Sequence, residues 1–131
     1  MSKEKLLTKE DVFKAKDLII EKMDLPEWGG YLFIRVISGR ERDQFEKSVQ
    51  NKKGEIEFTN FRSRFAALVL CDDEGNRIFQ EVDIAELSKK SSAALDRILD
   101  KGMKINGMKQ EDVEDLVKNS SKGQSDDSTL S

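Results

Sequence analysis

A chain of 131 residues, 37% hydrophobic and 37% charged, has the length and polarity of one domain built around one core. Its net charge of −3 argues against nucleic acid as the main partner, because phosphate binding relies on a positive excess or patch. The absence of His removes the commonest general base and metal ligand, the single Cys excludes an internal disulfide, and no apolar run approaches the ~20 residues of a membrane span.

The start, Met1-Ser2-Lys3-Glu4-Lys5, lacks the apolar stretch of a signal peptide. Residues 1–7 read as a flexible N-terminus. Thr8 can cap a short helix, with Asp11 three residues on and Val12 with Phe13 as a small apolar contact. Leu18 to Leu25 reads as a strand, with Ile19, Glu21, Met23 and Leu25 on one side. The segment Pro26-Glu27-Trp28-Gly29-Gly30 then reverses the chain, since both glycines can take the positive φ of a tight turn. Tyr31 to Ile37 is aromatic and β-branched and forms the second strand of a hairpin.

Ser38 followed by Glu41 is a capping box, which opens a helix over about Gly39 to Val49. Arg40-Glu41-Arg42-Asp43 alternates in sign and reads as its solvated face. Residues 50–54 are a polar connection, and Glu55 to Phe58 alternates like a short extended piece. Thr59 or Asn60 opens the most apolar helix, with Phe61, Phe65, Leu68 and Val69 on a stripe that Ala66, Ala67 and Leu70 widen. Cys71 ends it. Asp72 to Asn76 is a turn cluster. Asp83 with Glu86 reads as another capping box, and Ser91 or Ser92 caps a helix carrying Leu95, Ile98, Leu99, Met103 and Ile105. Asn106-Gly107 stops that helix. Gln110 to Lys118 forms a last short helix with acidic residues in its first turn. From Asn119 the composition cannot offset ordering entropy by burial, so 119–131 is expected to be disordered.

The expected fold is α+β: an N-terminal antiparallel β-hairpin packed on a mainly helical domain over 8–118, with a disordered C-terminal tail. No catalytic constellation emerges. Asp72 to Asp83 lacks the Gly and Glu that a calcium loop needs at its sixth and twelfth positions and reads as a polar turn. Cys71 has no His partner and reads as a small buried hydrophobe. No cofactor or metal is expected. The hairpin is the surface of interest. Leu32, Ile34 and Val36 alternate against Tyr31, Phe33 and Ile37, with Arg35 among the latter, so both faces are apolar and the second asks for a cover. Trp28, Tyr31, Phe33, Arg35 and Ile37 are the candidate partner-binding residues. The cover would be the first helix, a partner or a second copy of the chain; the alternative is that the exposed aromatics are scattered and need none.

The hairpin with Trp28-Gly29-Gly30 and the capped Ser38 to Glu46 segment stand in a particular order with three later blocks. These are Phe61 to Phe79, Ser88 to Ile98, and Ile105-Asn106-Gly107-Met108 before an acidic helix. In that order and spacing, residues 8–119 resemble the tail assembly chaperones of long-tailed (siphovirus-like) bacteriophages and related prophages. One departure is Lys109, where a Ser-like cap would be expected. The resemblance implies a non-enzymatic protein that binds the tape measure protein, keeps its apolar helices soluble and helps recruit tail tube protein. It also implies action in the bacterial host cytoplasm, absence from the mature virion, and in many members a longer form made by ribosomal frameshifting. It carries no catalytic residues. A small helix-turn-helix DNA-binding regulator is the alternative, with Asn106-Gly107 between its helices, but Glu111, Asp112, Glu114 and Asp115 on the recognition helix would repel phosphates.

Overall fold

The computed structural model describes residues 4–108. The elements run α1 (Lys9–Lys14), β1 (Ile20–Leu25), β2 (Gly30–Arg35), α2 (Gly39–Ser48), α3 (Phe61–Val69), β3 (Leu70–Cys71), α4 (Ile84–Leu87) and α5 (Ser92–Ile105). This is the α+β arrangement expected, with one strand more than the hairpin. The expected Gln110 to Lys118 helix and the tail lie outside the described residues.

β1 and β2 pair antiparallel from Ile20↔Arg35 to Leu25↔Gly30. Pro26–Trp28 makes a single 3₁₀ turn, and Gly29 closes it at φ 79°, where an L side chain would be strained. Gly30 does not share that conformation; it opens β2. Alternation sends Met23, Leu25, Leu32 and Ile34 toward the helices, and Met23, Leu25 and Ile34 are buried there.

The third strand corrects the reading of Leu70 and Cys71 as the end of a helix. α3 stops at Val69, and Leu70 is extended at φ −74°, ψ 132°. Leu70 and Cys71 then pair with Ile34 and Phe33, and Cys71 bridges Arg77 across the turn. Sheet pairing, a tertiary interaction, overrides the helical periodicity of the apolar run. β2 is therefore the central strand, in the order β1-β2-β3. The Asp72 to Asn76 cluster is the polar turn after β3. The Asp72 carboxylate accepts the amides of Asn76 and Glu74, which hold it below the usual carboxylate range.

α3 is the centre of the core. Phe65, Ala66, Ala67 and Val69 are fully buried, as befits a helix apolar on almost every side. Arg62 and Arg64 are its outward residues, paired with Asp96 and Glu81. Phe45 of α2 meets Phe61 and Phe65 edge-on, both at 5.5 Å. α5 crosses at Gly102, which is buried against the Phe65 ring.

Two local readings change. Asp83 does not cap with Glu86. Its carboxylate accepts the Gln80 amide at 2.8 Å, so the box begins three residues earlier and opens the 3₁₀ turn that leads into α4. Glu55 to Phe58 contributes only an isolated bridge, Gln50↔Ile56. At α5, Ser91 is the cap, its hydroxyl accepting the Ala94 amide.

Polar side chains fasten the exit of β2. Arg35 Nε donates to the Leu68 carbonyl at 2.8 Å, and its terminal nitrogens fork onto Glu41 at 3.2 and 2.6 Å. Glu41 is thus drawn out of the solvated face expected for it and joins α2 to β2 and α3. Asn106 accepts from the Ile37 amide at 2.8 Å and donates to the Gly102 and Arg35 carbonyls. These bonds end the strand before Val36 and return Ile37 to the core. Gly107 at φ 67° and a Met108 amide bond to the Met103 carbonyl close α5.

Two measurements follow from this packing. A Cβ at Gly102 would lie 2.5 Å from Phe65 Cε2, in a ring already held by Phe45. Ala would gain about 1 kcal/mol of helix propensity, whereas overpacking costs about 1–3 kcal/mol. Gly102→Ala should therefore lower stability in urea unfolding despite the better helix former. The second concerns Glu41. Burial raises its pKa, but the Arg35 fork, the Ser38 amide and the Arg35 charge outweigh it and hold the carboxyl below its ordinary 4.5. A lowered folded pKa gives stability present above the unfolded value and lost as pH falls through the folded one. Glu41→Gln should cost about 1–3 kcal/mol at pH 7 and flatten the loss of stability below about pH 4.5, measured as urea midpoints across pH.

Candidate partner-binding surface

The face of the sheet turned away from the helices carries Tyr31, Phe33 and Arg35 from β2, and Ile20, Lys22 and Asp24 from β1, with Lys22 opposite Phe33 and Asp24 opposite Tyr31. Tyr31 is 57% exposed. Its ring meets Phe33 edge-on at 5.9 Å, and Lys22 Nζ stands 4.5 Å above its centroid. The result is a small aromatic patch with a cation at its rim. Phe33 is half-buried because Cys71 is its neighbour across the β2–β3 pair. Cys71 is fully buried, and burial pushes its thiol pKa up.

The five sequence candidates separate in space. Tyr31 and Phe33 come together. Arg35 shares their face, but its guanidinium is occupied by Leu68 and Glu41. Trp28 is half-buried and packs against the core from the hairpin turn. Ile37 is 8% exposed and belongs to the core.

The first helix does not supply the cover. α1 is well capped: Thr8 and Asp11 exchange bonds in a full capping box, and the Thr8 amide holds the Asp11 carboxyl below its usual range. Yet none of its residues is buried. Phe13 is 78% exposed and Leu6 94%, and Leu7, Val12, Leu18 and Ile19 are also open to solvent. These apolar residues precede β1 directly. The reading of Val12 and Phe13 as an internal contact missed them. A signal was present: Leu7 and Val12 flank the cap at the spacing of a hydrophobic staple, which organises a helix start without needing a core.

Among the described residues, no group of three or more His, Cys, Asp or Glu stands where it could hold a metal, and no helix is long and apolar enough to cross a membrane.

Comparison with known proteins adds the family. No curated protein sequence matches significantly. Among solved structures, the tail assembly chaperone of bacteriophage HK97 superposes with a TM-score of 0.55 at 17% identity, over 73% of this chain and 90% of that one, a likeness of fold. The family model described as phage tail assembly chaperone matches residues 3–119, well over half of the sequence. A match of that extent carries more than the shared fold: the chain belongs to the phage tail assembly chaperone family.

Proposed function

We propose that this protein binds the tape measure protein during tail assembly, keeps its apolar helices soluble and helps bring tail tube protein to it. The reading rests on family membership together with one observation. Apolar side chains from Leu6 to Ile19 and at Tyr31 stay exposed although the core beneath them is complete. Exposed apolar surface of this kind suits the nonpolar side of an amphipathic client helix. Lys22, Asp24, Lys9, Glu10 and Lys14 interleave with it and would keep a complex in solution. In this reading residues 8–118 are the chaperone domain, and Tyr31 and Phe33 are its contact residues on the sheet. Trp28 and Ile37 support them from the core side, and Arg35 fixes the exit of β2 beside them. The same surface would serve self-association when no client is present. The protein would act in the bacterial host cytoplasm and be absent from the finished virion. A longer frameshifted form would require a slippery codon run near Val117-Lys118-Asn119 or Ser121-Lys122-Gly123.

Co-expression with the tape measure protein tests the reading. The wild-type chain should hold that client in the soluble fraction and copurify with it. Tyr31→Asp alters an exposed ring, so its thermal midpoint should stay near wild type, within the roughly 0.5 kcal/mol of a surface change. Its capture of client should fall several-fold. A client that stays insoluble with the wild-type chain would remove the proposed function. Undiminished capture by Tyr31→Asp would remove Tyr31 from the contact surface.

A further inference from the structure

A groove of about 600 Å³ runs between the edge strand β1 and α5. Met23 and Ile105 form its apolar floor. Arg97, Lys101 and Lys104 stand along its α5 wall, one turn apart, against Glu21 and Asp100. Arg97 is committed to Glu27 and the Asp24 carbonyl, and Lys101 reaches Glu21 at 3.6 Å. The Lys104 ammonium has no hydrogen bond or ion pair among the described residues, so the end of the groove nearest the C-terminus of α5 keeps an uncompensated positive charge.

The chain leaves α5 beside that end. Met108, the last described residue, lies three positions beyond Ile105. After Lys109 the sequence runs Gln110-Glu111-Asp112-Val113-Glu114-Asp115-Leu116-Val117-Lys118. It holds four carboxylates and one Lys, a net −3, which equals the formal charge of the entire chain. Its apolar residues, Val113, Leu116 and Val117, recur three and four apart. At up to about 3.3 Å per residue, nine residues beyond Met108 reach any point of the groove.

From these observations we infer that the acidic segment Gln110–Lys118 docks into the β1–α5 groove of its own chain, Leu116 and Val117 on Met23 and Ile105, its carboxylates facing Lys101 and Lys104. This goes beyond the chaperone reading and does not depend on it. The docked segment covers the Met23–Ile105 groove beside the edge strand β1, whose backbone edge otherwise invites pairing with another strand.

Cross-linking in the full chain tests this. Cys71 is fully buried and does not compete. Asp100→Cys on the exposed rim, with Leu116→Cys, should form an intramolecular disulfide under mild oxidation at low protein concentration, read by peptide mass spectrometry of the monomer. The rate should fall at least several-fold in 1 M salt, where screening shortens to about 3 Å. It should fall likewise when Lys101→Glu and Lys104→Glu are added. Failure to form the disulfide, links found only between two chains, or a rate that neither salt nor charge reversal alters (simple tethering) would each overturn the proposal. The salt arm stands even where charge reversal disturbs folding.

Discussion

The fold depends on α3 being covered on every side but the one that carries Arg62 and Arg64. A nine-residue helix with Phe65, Ala66, Ala67 and Val69 fully buried needs neighbours on most sides, and α2, α4, α5 and the sheet each supply one. α2 brings Phe45 against Phe61 and Phe65. α5 approaches at Gly102, where the missing side chain lets Phe65 sit on backbone. α4 closes a further side with Ile84 and Leu87. The remaining side is the sheet, and α3 reaches it without a loop, because its C-cap residue, Leu70, is already the first residue of β3. The position of the helix thus sets the third strand, and the third strand makes β2 central.

Placing β2 at the centre creates a polar problem at its exit. The strand ends next to the C-terminus of α3 and the C-terminus of α5, where the last carbonyls of a helix run short of partners within it. Arg35 and Asn106 answer it with side chains. Arg35 takes the Leu68 carbonyl and Glu41 together, and Asn106 takes the Gly102 and Arg35 carbonyls and the Ile37 amide. Among the described residues no buried side-chain polar atom is left without a partner. The Arg35–Leu68 bond and the Asn106 bonds to Ile37 and Arg35 join residues more than 30 positions apart in the chain, so they report the assembled fold and not a local preference.

Local chemistry in the sequence carried the hairpin turn, the Ser38–Glu41 box, the Asp72 turn and the α5 stop, because each depends on neighbours close in the chain. What escaped depends on distant partners. Leu70 and Cys71 look like more helix until β2 is beside them. Gly102 looks like a weak spot in a helix until Phe65 is placed on it. Glu41 looks like one of a run of surface charges until Arg35 arrives from the strand. The partner surface was half legible for the same reason. Alternation placed Tyr31 and Phe33 on one face, but it cannot foresee that Asn106 ends the strand early and takes Ile37 inward, or that α1 leaves its apolar residues in water.

The exposed apolar residues also bear on how a client would be held. Fully burying a large apolar side chain contributes roughly 1.5–3 kcal/mol. Leu6, Leu7, Val12, Phe13, Leu18, Ile19 and Tyr31 are already partly covered, Leu6 apart, so their combined gain on binding is on the order of 10 kcal/mol. Association itself costs about 4–15 kcal/mol in lost freedom, and ordering a client helix adds to that. The two quantities are comparable. Under the proposed function, a single chain would then hold a single client helix weakly and release it readily. Firm retention of a long client would come from several chains side by side along it, each contact reversible, with the bound array raising the effective concentration of the next. Weak individual contacts suit a protein that must give up its client as the tail is built.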